Sequence, residues 1–169
     1  MSIRTRSGSG MALAICLGVL GYVVLHGGGL AGRQAPDFTV RDAYGGSVEL
    51  SSFRGRPLLM VFWTTSCGYC RYELPIVDRV ATEFAPRGLE VVAINIGDVE
   101  GARTFMREEH LRLTNTVDEK GEVAQRYGVS GVPKLVFVDR EGKIGKEVFG
   151  SQSEEALRRW LSRAVPLLP

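Results

Sequence analysis

The chain is poor in the residues from which metal sites are assembled. Among its 169 residues there are three cysteines, Cys16, Cys67 and Cys70, and two histidines, His26 and His110. A closed zinc site takes four ligands. Cys16 lies inside an apolar segment, the histidines are scattered, and no second cysteine pair exists to complete a site with Cys67-x-x-Cys70. No metal and no bound cofactor is therefore expected. Unbalanced charge is lacking as well: all 19 acidic residues and 19 of the 21 basic ones follow Gly32, so that portion is formally neutral. A neutral, mixed-charge surface gives no electrostatic reason to bind nucleic acid. Repeats are absent, and low complexity is confined to Gly27–Gly29.

The leftover charge sits at the amino terminus. Arg4 and Arg6 supply the net +2, and from Ser7 to Gly32 no permanently charged residue occurs. Met11 to Leu25 is strongly apolar, and extension through His26 to Ala31 reaches the roughly 20 residues of a spanning helix. Residues 1–32 thus read as a membrane anchor or a cleaved signal with Gly29-Leu30-Ala31 at the cleavage site; the length of the apolar core favours one uncleaved transmembrane helix. Either way the arginines stay in the cytoplasm and residues 33–169 are exported, which for a bacterial cell means a periplasmic or extracytoplasmic domain where disulfide chemistry is physiological.

The paired cysteines stand where an apolar run gives way to helical periodicity. Pro57 to Thr64 has the pattern of a strand buried on both faces, and Leu74, Val77, Val80, Ala81 and Phe84 recur at helical steps from a start near Cys67. A helix's first turn carries unpaired N–H groups and the positive end of the macrodipole, which stabilise a thiolate. Cys67 is thereby the expected nucleophile. Cys70, one turn on and on the same face, is the expected resolving thiol in thiol–disulfide exchange. A purely structural disulfide over so short a loop would remove little chain entropy.

The remaining elements follow in order. Gln34 to Val40 leads through Asp42–Gly46 into a return strand at Ser47–Leu50, a hairpin before the buried strand. Pro75 is expected to kink the cysteine-bearing helix. Leu89–Ile96 reads as a second buried strand, parallel by default, then a helix over Val99–His110, a short strand over Leu113–Val117 and a helix over Glu119–Tyr127. Lys134–Val138 and Ile144–Phe149 form a hairpin across Asp139–Lys143. Ser153 caps a last helix whose Leu157, Trp160, Leu161 and Val165 share a face.

Trp63-x-x-x-Cys67-x-x-Cys70 at a strand-to-helix junction, with Gly131-Val132-Pro133 before a terminal hairpin, resembles the thioredoxin superfamily. Ala35-Pro36-Asp37-Phe38, the added residues 89–117 and Cys67-x-x-Cys70-x-x-Glu73-x-Pro75 resemble, more narrowly, the membrane-anchored TlpA/ResA-type thiol-disulfide oxidoreductases. The resemblance implies an α/β thioredoxin fold with an amino-terminal β-hairpin and a central βα insertion. It implies a cis bond before Pro133, which places Val132 against an extended substrate beside the disulfide, with Trp63 as a third substrate-binding residue. Glu73 is implied as the proton shuttle, since Val61 stands where thioredoxin keeps a buried aspartate. The resemblance further implies a protein-disulfide reductase acting on exported cysteine-containing proteins such as apocytochrome c, supplied by a membrane thiol donor. Ser66 departs from the tryptophan common in this family, and Gly68-Tyr69 is its own dipeptide.

Two other readings compete. Thr64 precedes Cys67 as in a peroxidatic Thr-x-x-Cys, although Met60 replaces the expected proline and the nearby Cys70 suits exchange better. A copper chaperone or assembly factor could hold Cu(I) between Cys67 and Cys70, but neither histidine is placed to assist.

Overall fold

The computed structural model describes residues 29–165; the anchor or signal expected over residues 1–32 falls almost wholly outside them. No helix among the described residues is long and apolar enough to cross a membrane. Seven strands form one mixed sheet: β1 (Thr39–Asp42), β2 (Ser47–Glu49), β3 (Leu58–Trp63), β4 (Glu90–Ile96), β5 (Thr114–Asp118), β6 (Lys134–Val138) and β7 (Ile144–Phe149). Their spatial order is β2-β1-β5-β4-β3-β6-β7, with β3, β4 and β5 parallel and the remaining pairs antiparallel. Four α-helices among the described residues complete the fold: α1 (Gly68–Phe84), α2 (Val99–Glu108), α3 (Glu122–Arg126) and α4 (Glu154–Ala164). The chain forms the expected thioredoxin-like α/β fold with a mixed sheet, and the expected amino-terminal hairpin is the β1–β2 pair.

Alternation along the central strands divides the core in two. Leu59, Val61 and Trp63 of β3 turn toward α1, α2 and α4, meeting Leu74, Val77, Phe105 and Leu157. Leu58, Met60 and Phe62 turn the other way, toward Val123 and Tyr127 and the incoming Phe38 and Val40. Every residue of β3 is buried, as its unbroken apolar run requires. The β4–α2–β5 unit continues the parallel part of the sheet, and β1 pairs with β5 in the register Arg41↔Val117.

Several boundaries differ from expectation for local reasons. The first strand starts only at Thr39, because Gln34 makes a single bridge to Lys143 and Pro36 interrupts the approach. Leu50 leaves the return strand to open a short 3₁₀ turn, Leu50–Phe53. The helix expected over 119–127 is reduced to α3, with Gly121 in the left-handed region at its start. Helix α2 stops at Glu108, and His110 takes a positive φ of 53°. Pro75 lies within α1, which continues to Phe84.

A buried ion pair ties the ends of this framework together. Lys134 Nζ lies 2.7 Å from Glu147 Oε1, with the side chains 7% and 15% exposed, and also donates to the carbonyl of Tyr127 at 2.7 Å. Glu147 Oε2 accepts from the Leu30 backbone N–H at 2.5 Å. One pair therefore joins β6, β7, the end of α3 and the first described residues, immediately after Pro133. Removal of one member leaves the other charged and buried, so Lys134→Met should lose about 3–5 kcal/mol. Urea unfolding of Lys134→Met beside Lys134→Met/Glu147→Leu is expected to show the double variant recovering most of that loss.

Candidate active site

The register of two neighbouring strands assembles the site. Phe62 of β3 pairs with Lys134 of β6, so the chain leaving β3 and the chain entering β6 emerge side by side at one end of the sheet. From β3 come Thr64 to Cys67, and toward β6 come Val132 and Pro133. The Val132–Pro133 bond is cis. The Val132 carbonyl oxygen lies 3.7 Å from Cys67 Sγ.

Cys67 caps α1, with φ −84° and ψ 107°, and its Sγ accepts from the Cys70 backbone N–H at 3.1 Å. The sulfur thus occupies the place that a serine or aspartate oxygen takes at other helix starts, at the positive end of the dipole. Cys70 follows one turn later, Cα–Cα 5.3 Å away, and the two form a disulfide. Their surroundings differ: Cys67 is half-buried, whereas Cys70 is fully enclosed by α1 and the sheet. An attacking thiolate has access to one sulfur of this bond and not to the other.

Glu73 stands three residues past Cys70 and is fully buried. Its Oε1 accepts from the Gln152 backbone N–H at 2.7 Å, and Oε2 is buried without a partner among the described residues. Burial pushes this carboxyl up to about 7, against the Gln152 hydrogen bond, which pulls it down. A carboxyl in that range exchanges a proton near neutral pH, a property no ordinary surface glutamate has. Val61, lining the same side of the core, contributes no titratable group.

Trp63 corrects the expectation attached to it. Its ring is fully buried against Phe105, centroids 5.4 Å apart, with Nε1 enclosed and unpartnered among the described residues. Being the last residue of β3 and on the α1 side of the pleat, it supports the cysteine turn from beneath and presents no surface to a substrate. Thr64 Oγ1 lies 3.5 Å from Ser66 Oγ. No group of three or more histidine, cysteine or acidic side chains gathers among the described residues to hold a metal.

Residues that sequence reasoning passed over brace the turn. Thr65 Oγ1 donates to Asp98 Oδ2 at 2.8 Å, Asp98 Oδ1 accepts from the Gly101 N–H at 2.9 Å, and the Asp98 N–H donates to Asn95 Oδ1 at 2.9 Å. The Gly101 N–H and then the Thr65 hydroxyl hold the Asp98 carboxyl below the usual carboxylate range. Asp98 before an amphipathic run was a recognisable helix cap; its second bond, across to Thr65, carries no local sequence signal. Gln152, which fixes Glu73, is likewise reached only through the fold.

An open sulfur at a helix start, a concealed one behind it and a backbone carbonyl facing the pair define a dithiol exchanger, and the comparisons agree: this is a thiol-disulfide oxidoreductase on a thioredoxin-like fold. The AhpC/TSA family model matches residues 31–147, and the chain belongs to that family. ResA of Bacillus thuringiensis subsp. konkukian, a thiol-disulfide oxidoreductase, is 30% identical over 136 residues, covering 80% of this chain and 79% of the relative. ResA of Bacillus subtilis is 29% identical over 165 residues, covering 95% and 92%. Among solved structures, the DsbE-like thiol:disulfide interchange protein of Chlorobium tepidum superposes with a TM-score of 0.76 at 30% identity, over 82% of this chain and 99% of that one. Such relatives imply cysteine-containing protein substrates.

Two outcomes follow from the geometry. With Glu73 at about 7 in the folded protein and an ordinary value near 4.5 when unfolded, folding takes up a proton between those pH values. The stability gained from the neutral carboxyl is complete below about 4.5 and is lost as pH rises through about 7, a change of up to about 3 kcal/mol. Urea midpoints of the oxidised protein should fall across that window, and Glu73→Gln should flatten the profile. At Gly101 a Cβ would overlap the Asp98 carboxylate and come within 2.9 Å of Thr65 Cγ2. Gly101→Ala, which in an open helix would gain up to about 1 kcal/mol, should instead lower Tm by about 3 °C or more.

Proposed function

We propose that the chain is an exported, membrane-tethered reductant of disulfides in other exported proteins, apocytochrome c before haem attachment among them. The observation that carries the reading is the asymmetric pair, with Cys67 Sγ held by the Cys70 N–H at the start of α1 and Cys70 enclosed behind it. The reduced Cys67 thiolate attacks a substrate disulfide, releasing one substrate sulfur as a thiolate that takes a proton. Cys70, deprotonated by Glu73, then attacks Cys67 Sγ and frees the second substrate sulfur. Two electrons have passed to the substrate, leaving the Cys67–Cys70 disulfide for reduction by a membrane thiol donor. The Val132 backbone beside Pro133 pairs with the extended substrate during the first attack.

Tethering rests on Met11–Leu25 behind Arg4 and Arg6, and on alignment with Bacillus subtilis ResA over nearly the full chain. The direction of electron flow rests on the resemblance to TlpA/ResA-type reductants and on a carboxyl poised to deprotonate Cys70; thiolate stabilisation at the helix start speeds attack by Cys67 but by itself favours the dithiol and raises the potential. The test is the midpoint potential of the Cys67–Cys70 couple, measured by thiol trapping across defined redox buffers. A value near or below about −270 mV, the range of thioredoxin, is the expected result; one near about −120 mV would make the protein a disulfide donor.

A further inference from the structure

Four large apolar side chains stand well exposed among the described residues: Tyr44, Tyr69, Tyr72 and Phe149. Three of them border the cysteine pair. Tyr69 and Tyr72, 73% and 68% exposed, project from the outer side of α1 one turn apart, where i and i+3 side chains are neighbours. With Gly68 and Ser151 they line an open pocket of about 600 Å³. Phe149, 55% exposed, lies against Gly131, one residue from the Val132 carbonyl that faces Cys67 Sγ. No charge enters the pocket wall, because Arg71, between the two tyrosines in sequence, turns away to sit 5.2 Å above the Phe105 ring. Tyr44 is the contrast: its depression is lined by Glu100, Arg103, Arg107 and His110.

We infer that the Tyr69–Tyr72–Ser151 pocket is a specificity subsite that takes an aromatic or branched aliphatic side chain of the substrate polypeptide, two residues from its reacting cysteine. The inference deepens the reductant reading and rests on it. Continuity with the reacting sulfur identifies the occupant, since the substrate's own sulfur must meet Cys67 at the pocket's edge. Spacing sets the position: Tyr72 lies five residues beyond Cys67, about 7.5 Å along the helix axis. An extended chain laid along Val132 advances about 6.6 Å per two residues and returns its side chain to the same face. A segment that presents a reacting disulfide and an apolar neighbour together in extended form is commonest in a chain that has not folded, since folding buries most such side chains. The subsite therefore selects substrates before they fold.

Peptides whose single cysteine is a mixed disulfide with thionitrobenzoate provide the probe. Attack by Cys67 releases the coloured thiolate, and Cys70 then frees the peptide thiol as the enzyme disulfide closes, a two-electron transfer. In single turnovers with the pre-reduced dithiol enzyme in excess, phenylalanine or leucine two residues from the cysteine should raise the second-order rate constant for thionitrobenzoate release about tenfold over that of the aspartate peptide. Tyr72→Ser should reduce the ratio to about twofold, and Tyr72→Phe should preserve it. Equal turnover of both peptides by the wild type, or an unchanged ratio in Tyr72→Ser, overturns the subsite alone. Absence of turnover with every peptide, by enzyme trapped as fully reduced dithiol, overturns the reductant reading and the subsite with it.

Discussion

A sulfur anion is tolerable at a protein surface only where something holds its charge, and here that is the first turn of α1. The Cys70 N–H reaches Cys67 Sγ at 3.1 Å, so the backbone that starts the helix also stabilises the nucleophile. This couples chemistry to architecture: the sulfur stays in place only as long as the end of β3, the start of α1 and the approach to β6 stay in register. The Phe62↔Lys134 pairing supplies that register in the centre of the sheet, between strands buried on both faces. Lys134 then closes the other side, its ammonium fixed by Glu147 and the Tyr127 carbonyl directly after the cis proline. The costly burial of a charge pair is thus located where the Val132 carbonyl has to be aimed.

Glu73 is the complementary element. A dithiol gains and loses protons as well as electrons, and Cys70 is sealed from bulk water. Something titratable near neutral pH must lie inside the same helix packing, or the second exchange step lacks a base. Desolvation raises one carboxyl into that range, Glu73, the base we propose for Cys70, and its one hydrogen bond comes from the Gln152 backbone N–H. Because Gln152 adjoins Ser151, the loop that positions the carboxyl also contributes a wall to the tyrosine-lined pocket.

Much of this was legible in the residues. The buried β3, the helix at the cysteines, the terminal hairpin and the capping serine of α4 all carry periodicities or caps that act within a few residues. Trp63 shows where such reading stops. Its place in the motif suggested contact with substrate, but the pleat of β3 turns it inward onto Phe105, and a strand's inner face is known only once its partners on both sides are. The bond from Thr65 to Asp98 spans 33 residues and two elements, and Gln152 meets Glu73 across 79. Neither leaves a local trace in composition.

The Thr65–Asp98 bond also gives the β4–α2–β5 unit a function beyond extending the sheet. Asp98 satisfies the first turn of α2 with one oxygen and grips the cysteine turn with the other, and Gly101 admits that approach because it has no Cβ. The turn is thereby tied to α2 on one side, and the Val132 loop leads into β6 on the other. Between two rigid flanks, the freedom left to an incoming chain lies along the outer face of α1, where Gly68 and the two tyrosines stand open to solvent. Rigidity at the sulfur and openness beside it are what an exchanger needs when its partners share a disulfide but not a fold.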